Sequence, residues 1–115
     1  MELWHNPRCT KSRQAKALLD DRGVAYEERR YLDAPPTAAE LEAVLTALGK
    51  EPWEITRMGE GVATDLGLRS APKDRAAWIA TMVEHPILIE RPILVTDDGR
   101  AAVGRPTSAI EDLLG

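Results

Sequence analysis

Among 115 residues there is one cysteine, Cys9. An intrachain disulfide is therefore impossible, and a structural zinc site built on several thiolates is excluded. Positive charge is also in short supply: 15 Lys and Arg face 19 Asp and Glu, a formal net charge of -4. No overall positive field recommends nucleic acid or an anionic membrane as a partner, so any anion site must be a local cluster. Long apolar runs are missing as well. None approaches the roughly 20 residues needed to cross a bilayer, and the strand-like start Met1-Glu2-Leu3-Trp4 lacks the apolar core of a signal peptide. A soluble, cytoplasmic protein is the expectation. Repeats, low-complexity linkers and long blocks of one charge sign are absent too.

With 43% hydrophobic residues, the chain is long enough for one core and too short for two ordinary domains, so a single domain over residues 1–115 is expected. Leu3-Trp4-His5 ends a short strand, Asn6-Pro7-Arg8 turns the chain, and Ala15, Leu18 and Leu19 mark one face of a helix from Ser12 to Arg22 that stops at Gly23. Val24 to Leu32 reads as a second strand. Thr37 and Glu40 form a capping box ahead of Leu41, Val44, Leu45 and Leu48, and Gly49 closes that helix. Shorter helical pieces are expected at Trp53–Met58 and Val62–Leu66, then a clearer helix from Lys73 to Glu84. Pro92 to Thr96, the turn Asp97-Asp98-Gly99 and Arg100 to Val103 predict a β-hairpin, followed by a helix over Thr107–Leu114. Trp4, Trp53 and Trp78 are assigned to the core. The order gives an α/β fold of thioredoxin-like plan: a mixed four-stranded sheet flanked by helices, with a helical insertion between the βαβ unit and the C-terminal hairpin.

Cys9 thus falls where a strand hands over to a helix. A lone cysteine is most often a small buried hydrophobe. Here, however, unpaired N–H groups and the positive end of a helix favour thiolate, and the same groups suit an oxyanion. Arg8, Lys11 and Arg13 add positive charge close by in sequence. With no second sulfur, any adduct or disulfide on Cys9 must be resolved by a thiol from another molecule. Ser12, three residues on, could donate its hydroxyl to the sulfur, or simply start the helix; His5 could tune the thiolate, or simply pack at the strand end. The Arg91–Pro92 step is predicted to be cis. Arg105 follows Gly104, whose flexibility could aim it across the sheet end, and Arg57 comes from the helical insertion. Guanidinium forks match a tetrahedral dianion, although any one arginine is more often a solvated surface residue.

The run His5-Asn6-Pro7-Arg8-Cys9-Thr10-Lys11-Ser12-Arg13 closely resembles the active-site loop of the glutaredoxin-dependent arsenate reductases, a branch of the thioredoxin-like superfamily. Later landmarks are Arg57 with Leu66-Gly67-Leu68, then Pro86 through Val95, then Gly104-Arg105-Pro106. The resemblance spans the chain. It implies that Cys9 attacks arsenate or a related oxyanion held by Arg57, Arg91 and Arg105, that glutathione serves as co-substrate, and that glutaredoxin completes reduction to arsenite. It implies no metal and no bound cofactor. Where well-known members carry glycine after the cysteine, this chain has Thr10. Two other readings are weighed: a glutaredoxin-like thiol-disulfide oxidoreductase working through a C-x-x-S site, and a non-enzymatic regulator like Spx. A phosphatase-type anion loop would require arginine six residues after the cysteine, where Ala15 stands.

Overall fold

A computed structural model describes all residues, 1–115. Two compact units divide the chain: residues 1–34 with 91–115, and residues 35–90.

The first unit holds the sheet. Strand β1 (Glu2–Trp4), helix α1 (Thr10–Asp21) and strand β2 (Glu27–Arg29) form a parallel βαβ segment. Strands β3 (Ile93–Val95) and β4 (Ala101–Val103) follow as an antiparallel hairpin, with β3 also antiparallel to β1. The order β2-β1-β3-β4 is the mixed four-stranded sheet that the element pattern predicted. Leu3 registers with Leu94 and Leu94 with Ala102, so one face of the sheet carries an apolar row. Ala15 and Leu19 of α1 and Ile110 of the last helix of the chain (Ser108–Leu114) pack with Leu3 and Leu94 in a fully buried core. The edge strand β2 is shorter than the expected 24–32. Its sequence Glu-Glu-Arg offers no apolar alternation, and its charges discourage pairing with another chain.

The second unit is helical. Its first helix, α2 (Ala38–Leu48), starts at the capping box: Thr37 Oγ1 accepts from Glu40 N–H at 3.1 Å, and Thr37 N–H donates to Glu40 Oε1 at 2.9 Å. Gly49 ends the helix in the left-handed region, φ 66°, where a side chain is strained. The short helix α3 spans Gly61–Asp65, and α4 spans Arg75–Glu84 and packs against α2. The piece expected at Trp53–Met58 is instead a 3-10 turn, Pro52–Ile55. Beyond it Thr56 is extended and bridged to Ile89, which fixes the backbone in a β conformation that a helix could not keep. Further 3-10 turns occupy Leu68–Ser70 and Pro86–Leu88. Trp4 and Trp78 are buried; Trp53 is half-buried, edge-on to Trp78 at 6.0 Å, with the Lys73 ammonium over its ring. No helix is long and apolar enough to cross a membrane.

Candidate active site

The register of the sheet determines which residues meet. Arg29, Trp4, Ile93 and Val103 lie side by side across the four strands. Because β1, β2 and β4 all end at that row and β3 begins there, the chain segments just beyond it gather at one end of the sheet. Tyr31, Arg91 and Arg105 each stand two residues past the row, and the Cys9 loop leaves from Trp4.

The loop is held by its own polar groups. Asn6 is buried; its side-chain oxygen accepts from Arg8 N–H at 3.0 Å, and its backbone carbonyl accepts from Cys9 N–H at 3.0 Å. Cys9 is the N-cap of α1, with φ -94° and ψ 124°, and the helix begins at Thr10, two residues earlier than the apolar spacing suggested. Cysteine has no oxygen to cap with, and no side-chain cap bond forms. Its sulfur instead lies over the first helical turn. Burial alone would raise the thiol pKa. Hydrogen bonds from Ser12 N–H, from the Arg91 side chain and from Lys11 N–H, with the nearby charge of Arg105, outweigh burial and hold the thiol below its ordinary value. Arg105 Nη2 donates to Cys9 Sγ at 3.3 Å, while its Nε donates to the Arg91 carbonyl at 2.7 Å. Arg91 is partly buried, with Nε and Nη1 sealed from solvent. Burial opposes its charge, but the neighbouring Cys9 sulfur and the nearby Tyr31 phenol outweigh burial and hold its pKa above the ordinary arginine value.

Ser12 occupies a different role from the one its spacing suggested. Its hydroxyl is fully buried and turned away from sulfur: it accepts from Asn6 N–H at 3.0 Å and pairs with His5 Nδ1 at 2.7 Å. What Ser12 gives the thiol is its backbone N–H. His5 is buried, and burial lowers its pKa, partly countered by Glu28, whose carboxylate lies 4.0 Å from Nε2. A neutral ring beside Ser12 braces the loop and places no positive charge on the thiol. Arg13 also braces, donating to the Pro7 carbonyl at 3.2 Å and to Thr10 Oγ1 at 3.3 Å.

Arg91 and Arg105 therefore converge on Cys9. Arg57 belongs to the second unit, where its Nε meets Glu60 at 3.2 Å and its Nη1 meets Glu90 at 3.1 Å. The peptide bonds before Pro92 and Pro106 are both cis. Sequence reasoning missed Tyr31: a tyrosine following a charged edge strand reads as surface, yet its side chain is fully buried. Only the register, which sets Tyr31 level with Arg91, could have drawn attention to it.

Gly104 serves by close approach, since its φ is not positive. A Cβ there would come within 2.7 Å of Pro92 Cγ and 2.8 Å of Ile110 Cδ1. Gly104→Ala is expected to destabilise the fold by about 1–3 kcal/mol, because the proline ring cannot yield. That corresponds to a melting temperature lower by about 4 °C per kcal/mol in a thermal melt. An unchanged melt would mean that Pro92 and Ile110 move aside freely.

The model of the ArsC family matches residues 4–113. The uncharacterized protein in the glnII region of Streptomyces viridochromogenes is 48% identical, the alignment covering 99% of this chain and 98% of that protein. Arsenate reductase of Neisseria meningitidis serogroup A is 41% identical, with 99% and 97% covered. Among solved structures, the arsenate reductase from Vibrio cholerae matches with TM-score 0.88 and 38% identity, over 96% of this chain and 97% of that one.

Proposed function

The chain belongs to the ArsC family, and from that membership together with the chemistry around Cys9 we propose that it is an arsenate reductase. The observation that carries this reading is the meeting of two guanidinium groups, from Arg91 and Arg105, on one activated thiol. Such an arrangement suits a nucleophile whose target is a tetrahedral oxyanion. Disulfide exchange would require the thiolate but no pair of forks to hold three oxygens.

In this reading the Cys9 thiolate attacks arsenic, an arsenic–sulfur bond forms, and one arsenate oxygen leaves as water after protonation. Arg91 and Arg105 stabilise the charge that collects on the remaining oxygens, as oxyanion-hole donors do. Two thiol equivalents then deliver two electrons, arsenite departs, and the two thiols end as one disulfide. With Cys9 alone in the chain, both equivalents come from outside. We assign them to glutathione and glutaredoxin, acting in the cytoplasm, with no bound metal or organic cofactor.

The test is arsenate-dependent NADPH oxidation coupled to glutathione, glutathione reductase and glutaredoxin, run beside a mixed-disulfide substrate. Turnover that saturates with arsenate and requires glutaredoxin is expected. Activity on the disulfide alone, with a known arsenate reductase turning over in a parallel cuvette, would replace this reading with thiol exchange.

A further inference from the structure

Residues 3–19 contain no aspartate or glutamate, yet they hold Arg8, Lys11, Arg13 and Lys16, in a chain whose net charge is -4. The segments that bring Arg91 and Arg105 to the sulfur, 91–96 and 99–110, contain no acid either. Farther from Cys9, Lys16, Arg57, Arg75 and Arg100 each meet a carboxylate within 3.1 Å. Beside it the pattern changes. Arg8 and Lys11 are exposed, and neither side chain has a carboxylate or any other hydrogen-bond partner. Arg13, also exposed, donates only to the neutral oxygens of Pro7 and Thr10. We propose that Arg8 and Lys11, backed by Arg13, form a docking rim for the outside thiol that reacts at Cys9, and that this thiol is a small molecule bearing carboxylates, as glutathione does.

Helix energetics support the assignment. Helix α2 and the last helix of the chain carry an acid in the first turn, Glu40 and Glu111, whereas α1 carries none. Lys11 instead sets a cation against the positive end of α1, an arrangement that costs stability. The fold gains nothing from that charge, and nothing from the unpaired charge of Arg8. An incoming carboxylate would gain from both, through charge-assisted hydrogen bonds. Arg8 stands on the loop directly before Cys9 and Lys11 two residues beyond it, so the cations flank a sulfur that is itself only partly buried.

The size of the partner follows from the extent of the rim. These cations occupy only six positions of sequence, 8–13, on a chain with more acids than bases. A large acidic protein covering them would also bring its carboxylates against the chain's own acids, and like charges facing each other across an interface are costly. A small thiol stays within the cationic rim.

The inference rests on the arsenate reading for its place in turnover, but its test requires no arsenate. Cys9 is first converted to a neutral mixed disulfide with thiopyridine. An attacking thiolate forms a bond to the Cys9 sulfur, the old sulfur–sulfur bond breaks, and thiopyridone leaves and is followed by its absorbance. Glutathione and the carboxylate-free β-mercaptoethanol are compared, each rate divided by the same thiol's rate with free dipyridyl disulfide. In Arg8→Gln/Lys11→Gln the glutathione rate at low salt should fall about 5-fold, the effect of two unit charges acting through about 8 Å of water. The β-mercaptoethanol rate should change little, and high salt should erase the difference between variant and wild type. Lys11→Glu should slow glutathione as well while melting at an equal or higher temperature, which separates the loss from unfolding. An unchanged glutathione rate in the double variant, or an equal fall with both thiols, overturns the rim. Sensitivity of the double variant to glutaredoxin as reductant but not to glutathione overturns the small thiol in favour of a protein partner. If the wild type reduces no arsenate while the glutathione effect appears, the function reading falls and the rim stands.

Discussion

Cys9→Ser should abolish arsenate-dependent turnover, a loss of about 10⁴-fold or more, as removing the nucleophile of a covalent mechanism does. A serine hydroxyl ionises far above neutral pH, and the N–H groups and arginines that hold the thiol low cannot bring an alcohol within reach. No other sulfur nucleophile of this kind exists in the chain to substitute for it. The same change should leave the fold intact or improve it. Cys9 is the N-cap of α1 and makes no capping bond, whereas serine is among the preferred N-caps, worth about 1 kcal/mol over a residue without a capping oxygen. The pair of measurements is the coupled assay and a thermal melt. Loss of turnover with an equal or higher melting temperature is the expected result; retained turnover would move the chemistry away from Cys9.

Arg91→Ala should lower kcat/KM for arsenate by about 10²- to 10³-fold, the usual effect of removing one donor from an oxyanion site. It should also raise the Cys9 pKa, because the Arg91 side chain is among the groups that pull it down. The sign for stability follows. A thiol whose pKa is lower folded than unfolded adds stability at pH above the unfolded value and loses it as pH falls through the folded one, so Arg91→Ala should narrow that advantage on the alkaline side. Against this, removing a partly buried charge relieves a desolvation cost. Because the partners of Arg91 outweigh that cost, the melting temperature near pH 7 should hold or fall slightly while activity falls much further. Arg91→Lys should recover only part of the rate, since an ammonium cannot present two parallel donors. If Arg91→Ala reduced arsenate at the wild-type rate, Arg91 would have no place in the oxyanion site.

Several features of the fold could be read from the residues because each carries a local signal. The Thr37–Glu40 box, the Gly49 stop and the Asp97-Asp98-Gly99 turn fix their own conformations, and the change from helical to alternating period after Pro86 marks the hairpin. The start of α1 was set two residues late because Cys9 caps without a capping side chain. The span of β2 was overestimated because an edge strand of Glu27, Glu28 and Arg29 has no buried side to alternate with. In the site, the helix-start position of Cys9 was legible from its flanking turn, whereas Arg91 and Arg105 were singled out only by the family resemblance, since their flanking glycine and prolines left each as a surface residue more often than not. The direction of the Ser12 hydroxyl was not legible: it depends on whether His5 or the sulfur claims it, a question of three-dimensional competition that spacing cannot decide. Tyr31 was invisible for a related reason, since its burial is a property of the assembled sheet end.

The row Arg29–Trp4–Ile93–Val103 also divides the first unit by its tolerance of change. Between the row and Arg91 or Arg105, an added or deleted residue would shift that side chain along the sheet end and away from the thiol. At the opposite end the β3–β4 turn, Asp97-Asp98-Gly99, is exposed and shares no residue with the site. Insertions, reporter groups or a permuted chain break belong in that turn, where they lengthen a loop and leave the reactive end undisturbed.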